Sequence, residues 1–187
     1  MATITENLVW TSTVSNASNL VTNESNTTTS DNNYATVNSS HDWIFELTNL
    51  THTPTSIAHI TPIVEKKGSA AAATNLTYHN ILNGSNSAYY SNEALNLNSD
   101  SDNTTTLTQR TTSNGSDAWT ESQINSLRIQ LDFIATFGGA PGLIDHYYVA
   151  VQYDYDPPAP TPGGIIRLTD GKIKLPAGKI ILTEESA

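Results

Sequence analysis

Apolar residues along this chain recur at every second position more clearly than at every third or fourth, and that period belongs to a half-buried strand. In the stretch 41–47, Trp43, Phe45 and Leu47 fall on one side. The clearest run begins at Trp119 and carries Leu127, Ile129, Leu131 and Phe133 in strict alternation with Arg128, Gln130 and Asp132. After a Gly-Gly-Ala-Pro-Gly gap at 138–142 the chain returns with Tyr147, Val149, Val151, Tyr153 and Tyr155 on a common side. These two runs predict an antiparallel pair closing a two-sheet fold. Residues 56–65 form a further strand candidate, in which Pro62 cannot donate to a ladder and predicts an edge or a bulge.

The remaining pattern is weaker. Short apolar beats at 7–10 and 19–21 predict two short strands, followed by a polar loop at 26–33. Residues 78–82, 88–90 and 104–107 read as short strands between turns such as Asn83-Gly84 and Asn114-Gly115. Ala70 to Ala73 is the only helix-favouring patch of the region 68–118.

Composition supports strands. Asn, Ser and Thr supply 65 of the 187 residues, 14% are charged and 37% are hydrophobic. Thr favours strands, whereas Asn and Ser favour turns. The absence of Cys excludes disulfide scaffolds, thiolate metal sites and cysteine nucleophiles. A net charge of −10 and the lack of a basic face on the main body argue against nucleic acid as a partner. The first residues carry no basic-then-apolar leader pattern and no stretch is apolar enough to insert in a membrane, which predicts a product made in the cytoplasm.

Composition changes abruptly at 157–163, where Pro157-Pro158-Ala159-Pro160-Thr161-Pro162-Gly163 predicts a stiff, extended linker. Beyond it the residues fall into a seven-residue register: Gly-Ile-Ile-Arg-Leu-Thr-Asp, Gly-Lys-Ile-Lys-Leu-Pro-Ala and Gly-Lys-Ile-Ile-Leu-Thr-Glu, from Gly164 to Glu184. A coiled-coil seam needs apolar spacings of three and four; here they are two and five, with Gly in each repeat and Pro176 inside. Each repeat is therefore a short strand plus a turn. Such a segment cannot bury its own apolar stripe, so Ile166, Leu168, Ile173, Leu175, Ile180 and Leu182 are the candidate oligomerisation residues. Residues 1–162 hold 15 acids and 4 bases, whereas 163–187 hold 3 acids and 4 bases, so the two parts differ in sign.

Little in the chain invites catalysis. His41, His52, His59, His79 and His146 lack the spacing that converges on a metal. Asp100-Ser101-Asp102-Asn103 and Asp154-Tyr155-Asp156 offer alternating oxygen ligands but lack the glycine and distant Glu of a calcium loop. No nucleophile elbow, phosphate loop or dinucleotide fingerprint is present, so no catalytic, cofactor-binding or metal-binding residue is assigned and the protein is predicted not to be an enzyme. Tyr89-Tyr90, and any of the tyrosines from Tyr147 to Tyr155 that face outward, could stack on sugar rings, although core packing is their commoner duty.

The Trp119-Thr120 opening, the Ile-Asn-x-Leu-x-Ile segment at 124–129, the Gly-rich gap and the Ile-Asp-x-Tyr-Tyr-Val-x-Val-x-Tyr segment at 144–153 resemble the closing strands of jelly-roll-like β-sandwich modules in virion proteins of tailed phages. That resemblance implies capsid decoration, head fibres, or tail and baseplate adhesion. The expected architecture is all-β: an antiparallel, jelly-roll-like β-sandwich at 1–156, a Pro-rich linker at 157–163 and a heptad strand-repeat assembly tail at 164–187. The expected function is a self-associating virion structural protein, assembled in the host cytoplasm, with itself as a homotrimer and another virion protein such as capsid or tail as partners. The alternative is a carbohydrate-binding β-sandwich module that holds a host-surface glycan.

Overall fold

A computed structural model describes residues 1–16, 21–37, 42–67, 76–97, 102–133 and 142–159. The chain divides into two compact units, Met1–Pro157 and Pro158–Ala187, and the first holds all the elements below. The linker and the six tail residues assigned to oligomerisation lie largely or wholly outside the described residues, as do the Ala70–Ala73 patch and residues 19–20.

The elements are β1 (Ala2–Asn16), β2 (Val21–Thr22), β3 (Ala35–Val37), β4 (Asp42–Leu47), β5 (Pro54–Lys67), β6 (Leu76–Leu82), β7 (Ala88–Asn96), β8 (Asn103–Thr106), β9 (Thr112–Ser113), β10 (Asp117–Ala118), α1 (Glu121–Asn125), β11 (Arg128–Phe133) and β12 (Gly142–Tyr155). The fold is all-β and antiparallel. In one half β12 is central: β5 lies along one edge and carries β8, while β1 and the β3–β2 pair share the other edge. In the second half the order is β1-β4-β11-β6-β7. β9 and β10 form a separate small hairpin, turned by Asn114 and Gly115 at φ 53° and 75°.

β1 belongs to both halves. Residues Ala2 to Val9 pair with β12, and Trp10 to Asn16 pair with β4. The register shifts twice along the second stretch, so Trp10, Thr13 and Asn16 stand opposite Leu47, Phe45 and Trp43. Each bulge inserts one residue, which converts a spacing of three on β1 into a spacing of two on β4. The two short strands expected before residue 40 are thus one long strand and the two-residue β2. Its outer edge is covered by the chain that follows: Asn16 Nδ2 donates to the Val21 carbonyl at 2.7 Å and Thr13 bonds to Glu24.

The inward faces of the two halves meet in one core. Trp43, Phe45, Ile129, Leu131 and Phe133 of the second half are buried, as are Tyr147, Val149, Val151 and Tyr153 of the first. Phe45 meets Tyr147 edge to face at 5.2 Å and lies 4.4 Å from Trp43, geometry that aromatic quadrupoles favour. Pro62 lies between the end of the β8 pairing and an Ile60–Arg110 bridge, its carbonyl accepting from the Leu107 amide at 2.9 Å; residues 108 and 109 stand opposite the single Thr61, so the missing N–H falls at a bulge, one of the two expected settings.

Two expectations fail. β11 and β12 do not pair; β11 lies between β4 and β6, and β12 between β1 and β5. Eight residues separate them, longer than a tight hairpin loop, and each strand offers an apolar face that is covered by the opposite half. The run from Trp119 also does not begin as a strand. Thr120 and Gln123 form a reciprocal capping box that starts α1, and Ile124 is buried from its inner side.

Candidate functional site

The outward face of the second half carries a polar ladder. Antiparallel register sets Arg128 opposite Glu46, Gln130 opposite Ile44 and Asp132 opposite Asp42, while β6 adds Asn80 beside Gln130. Arg128 donates from Nε and Nη2 to Glu46 Oε1 at 3.1 and 2.7 Å, and from Nη1 to Asn86 Oδ1 at 3.0 Å. Glu46 also accepts from the Ser12 hydroxyl at 3.2 Å. The Arg128 hydrogen bond holds the Glu46 carboxyl below the usual carboxylate range, so the pair stays ionised and its charges cancel. At the other end of the ladder, burial and the neighbouring Asp42 raise the Asp132 carboxyl.

Beside the Arg128–Glu46 pair the surface opens into a cleft of about 330 Å³. The end of β4 and the residues after it give one wall, with Leu47 and Asn49; α1 and the start of β11 give the other, with Asn125, Ser126 and Leu127; Gly84 of the β6–β7 turn closes the rim. Capping fixes α1, and the amide of Leu50 donates to Asn125 Oδ1 at 2.9 Å, tying the two walls together. Ser126 donates to the Ser122 carbonyl at 2.7 Å. Leu47 and Leu127 are buried beneath. Among the described residues the cleft's carboxylate, Glu46, is committed to a guanidinium, and the lining offers donors and acceptors for reversible binding by hydrogen bonds.

A second polar feature lies in the core. His79 Nε2 and the Tyr147 hydroxyl share a hydrogen bond of 2.6 Å, one from each half. Burial pushes His79 down to about 4 and raises Tyr147 well above its ordinary value, so both are neutral. The nearest charges, Glu93 and Arg110, pair with each other at 3.1 Å.

The residues weighed for chemistry fall elsewhere. Tyr89 packs at 5.3 Å, T-shaped, against Trp119, and Arg110 lies over the Tyr90 ring at 4.3 Å, so both half-buried rings are engaged in packing. Tyr148 is the outward tyrosine of β12, half-buried beside His146 at 4.7 Å, and Tyr155 leans on His52 at 4.3 Å. Asp102 accepts from the Tyr34 hydroxyl at 2.6 Å, which pushes Tyr34 up to about 12; Asp154 is taken by Thr3 and Ser56, and Asp156 lies 3.5 Å from the terminal ammonium. Among the described residues no three His, Asp or Glu side chains are grouped to hold a metal. His41 is outside the described residues.

No known protein-family model and no curated protein matches the chain.

Proposed function

We propose that the protein is a structural component of a phage virion, a self-associating capsid decoration, head-fibre or tail-attachment module without catalytic activity. On this reading the two packed halves are a jelly-roll-like β-sandwich, displayed by the Pro-rich linker from a tail that joins copies into a trimer. The observation that carries it is the threefold Gly-x-Ile-x-Leu repeat behind four prolines in seven residues. Its apolar ridge needs other chains for cover. The opposite sign of tail and body supports docking of the tail on an acidic protein surface, and the Asn/Ser/Thr-rich body tolerates exposure without aggregating. Assembly follows synthesis in the host cytoplasm, with a capsid or tail protein as the second partner.

Light scattering tests the assembly. The full chain is expected to run as a multimer, and Ile173→Asp with Leu175→Asp is expected to reduce it to a monomer with the thermal unfolding of the body unchanged. A monomeric wild-type chain overturns this reading. Electron microscopy of particles carrying a labelled copy locates the module.

The second reading, a carbohydrate-binding module used for surface adhesion, is favoured by one feature, the open polar cleft beside Arg128 and Glu46.

A further inference from the structure

We infer that the cleft beside the Arg128–Glu46 pair is a subsite for one uncharged sugar residue, the terminal unit of a surface glycan. The inference rests on the attachment reading for its setting and on the cleft itself for its chemistry.

Three observations point to this ligand class. The first is charge. Glu46 and Arg128 neutralise each other across the cleft wall, so a phosphate or sulfate would meet a carboxylate at the same place as the guanidinium. The second is the supply of donors and acceptors. Arg128 has five N–H groups and uses three on Glu46 and Asn86. Asn125 commits its Oδ1 to Leu50, so it offers a ligand its Nδ2 donors, while Glu46 and the Ser126 oxygen offer acceptors. A sugar hydroxyl donates and accepts at once, which matches a wall of both kinds; the buried Leu47 and Leu127 lie under it for the C–H face of a ring.

The third is Gly84. The Asn-Gly pair has the look of a turn that needs glycine for its backbone, yet within this turn the positive φ is at Asn86, at 62°, and not at Gly84. A Cβ on Gly84 would meet Ser126 Cβ at 3.4 Å and the Ser126 carbonyl at 3.7 Å. An alanine would make ordinary contact; anything longer would run into the cleft. Glycine here keeps the mouth open. At about 330 Å³ the space is at the small end of ligand sites, which run from about 300 to 1,000 Å³, and it suits a single ring.

Saturation-transfer NMR on the full chain tests this with methyl glycosides of glucose, galactose, mannose and N-acetylglucosamine at millimolar concentration, beside N-acetylneuraminic acid and inorganic phosphate. At least one neutral glycoside is expected to bind, unchanged in about 0.5 M NaCl because no net charge is involved. Gly84→Leu is expected to abolish the signal, and Asn49→Ala, at an exposed position, to weaken it several-fold, both with unchanged thermal unfolding. Silence from all neutral glycosides, binding of the anions alone, or a signal that survives Gly84→Leu overturns the inference. Self-association of the same wild-type sample is read separately: a monomer that binds sugar sinks the virion-assembly reading alone, and a multimer that ignores sugar sinks the subsite alone.

Discussion

The His79–Tyr147 pair in the core and the Arg128–Glu46 pair on the outer ladder are both placed by strand register or sheet packing, and they end in opposite states. Burial between the halves disfavours a charge, so the pair there is neutral and its members share one hydrogen bond. On the outer face the partners keep their charges, bond to Ser12 and Asn86 as well, and retain capacity for more. A buried polar pair fixes which packing is right; an open one can exchange water for a ligand.

The comparison breaks first at its packing. Phe45 walls the edge of Tyr147, and Phe45→Ala is expected to cost about 3–5 kcal/mol in urea unfolding. Arg128→Met on the outer ladder should cost no more than about 1 kcal/mol, since Glu46 remains partly in water. Comparable losses would mean that the outer pair is structural.

Acid separates the two regions by sign. The folded His79 sits at about 4 against an ordinary 6.5, so the unfolded chain takes up the proton first. The stability His79 preserves above pH 6.5 should drain away as pH falls from 6.5 toward 4, at up to about 1.4 kcal/mol per pH unit, a slope that His79→Gln removes. Asp132 behaves in reverse. Its carboxyl is raised by burial and by Asp42, so the folded chain takes up that proton first and gains on acidification. Asp132→Asn is therefore expected to stabilise the protein at neutral pH by about 0.2–1 kcal/mol, a gain that shrinks as pH is lowered in the same urea series.

The strands with a period of two were legible: β4 and β11 bury the residues that alternation selects, and β12 does so for Tyr147, Val149, Val151 and Tyr153, with Tyr155 half-buried at its end. β1 was not, because its inward set includes Glu6, Thr13 and Asn16 and its bulges change the spacing midway. α1 was hidden because its five residues carry a single buried apolar side chain, Ile124, just ahead of the alternation that Leu127 opens, although the Thr120-x-x-Gln123 box was readable as a helix start. The cleft was hidden for a different reason. Arg128 and Glu46 were visible as charges among apolar neighbours, but only the β4–β11 register brings together residues 82 positions apart. Gly84 read as a turn former because sequence shows its missing side chain without showing what stands opposite.

The pairing of Ala2 with Tyr155 sets a schedule for the nascent polypeptide. A ribosome adding about 5–20 residues per second needs roughly 8–30 s after making β1 to deliver its partner β12. During that interval Leu8 has no β12 to cover it and the N-terminal edge stands unpaired, so a chaperone that binds extended apolar segments has its best opportunity there.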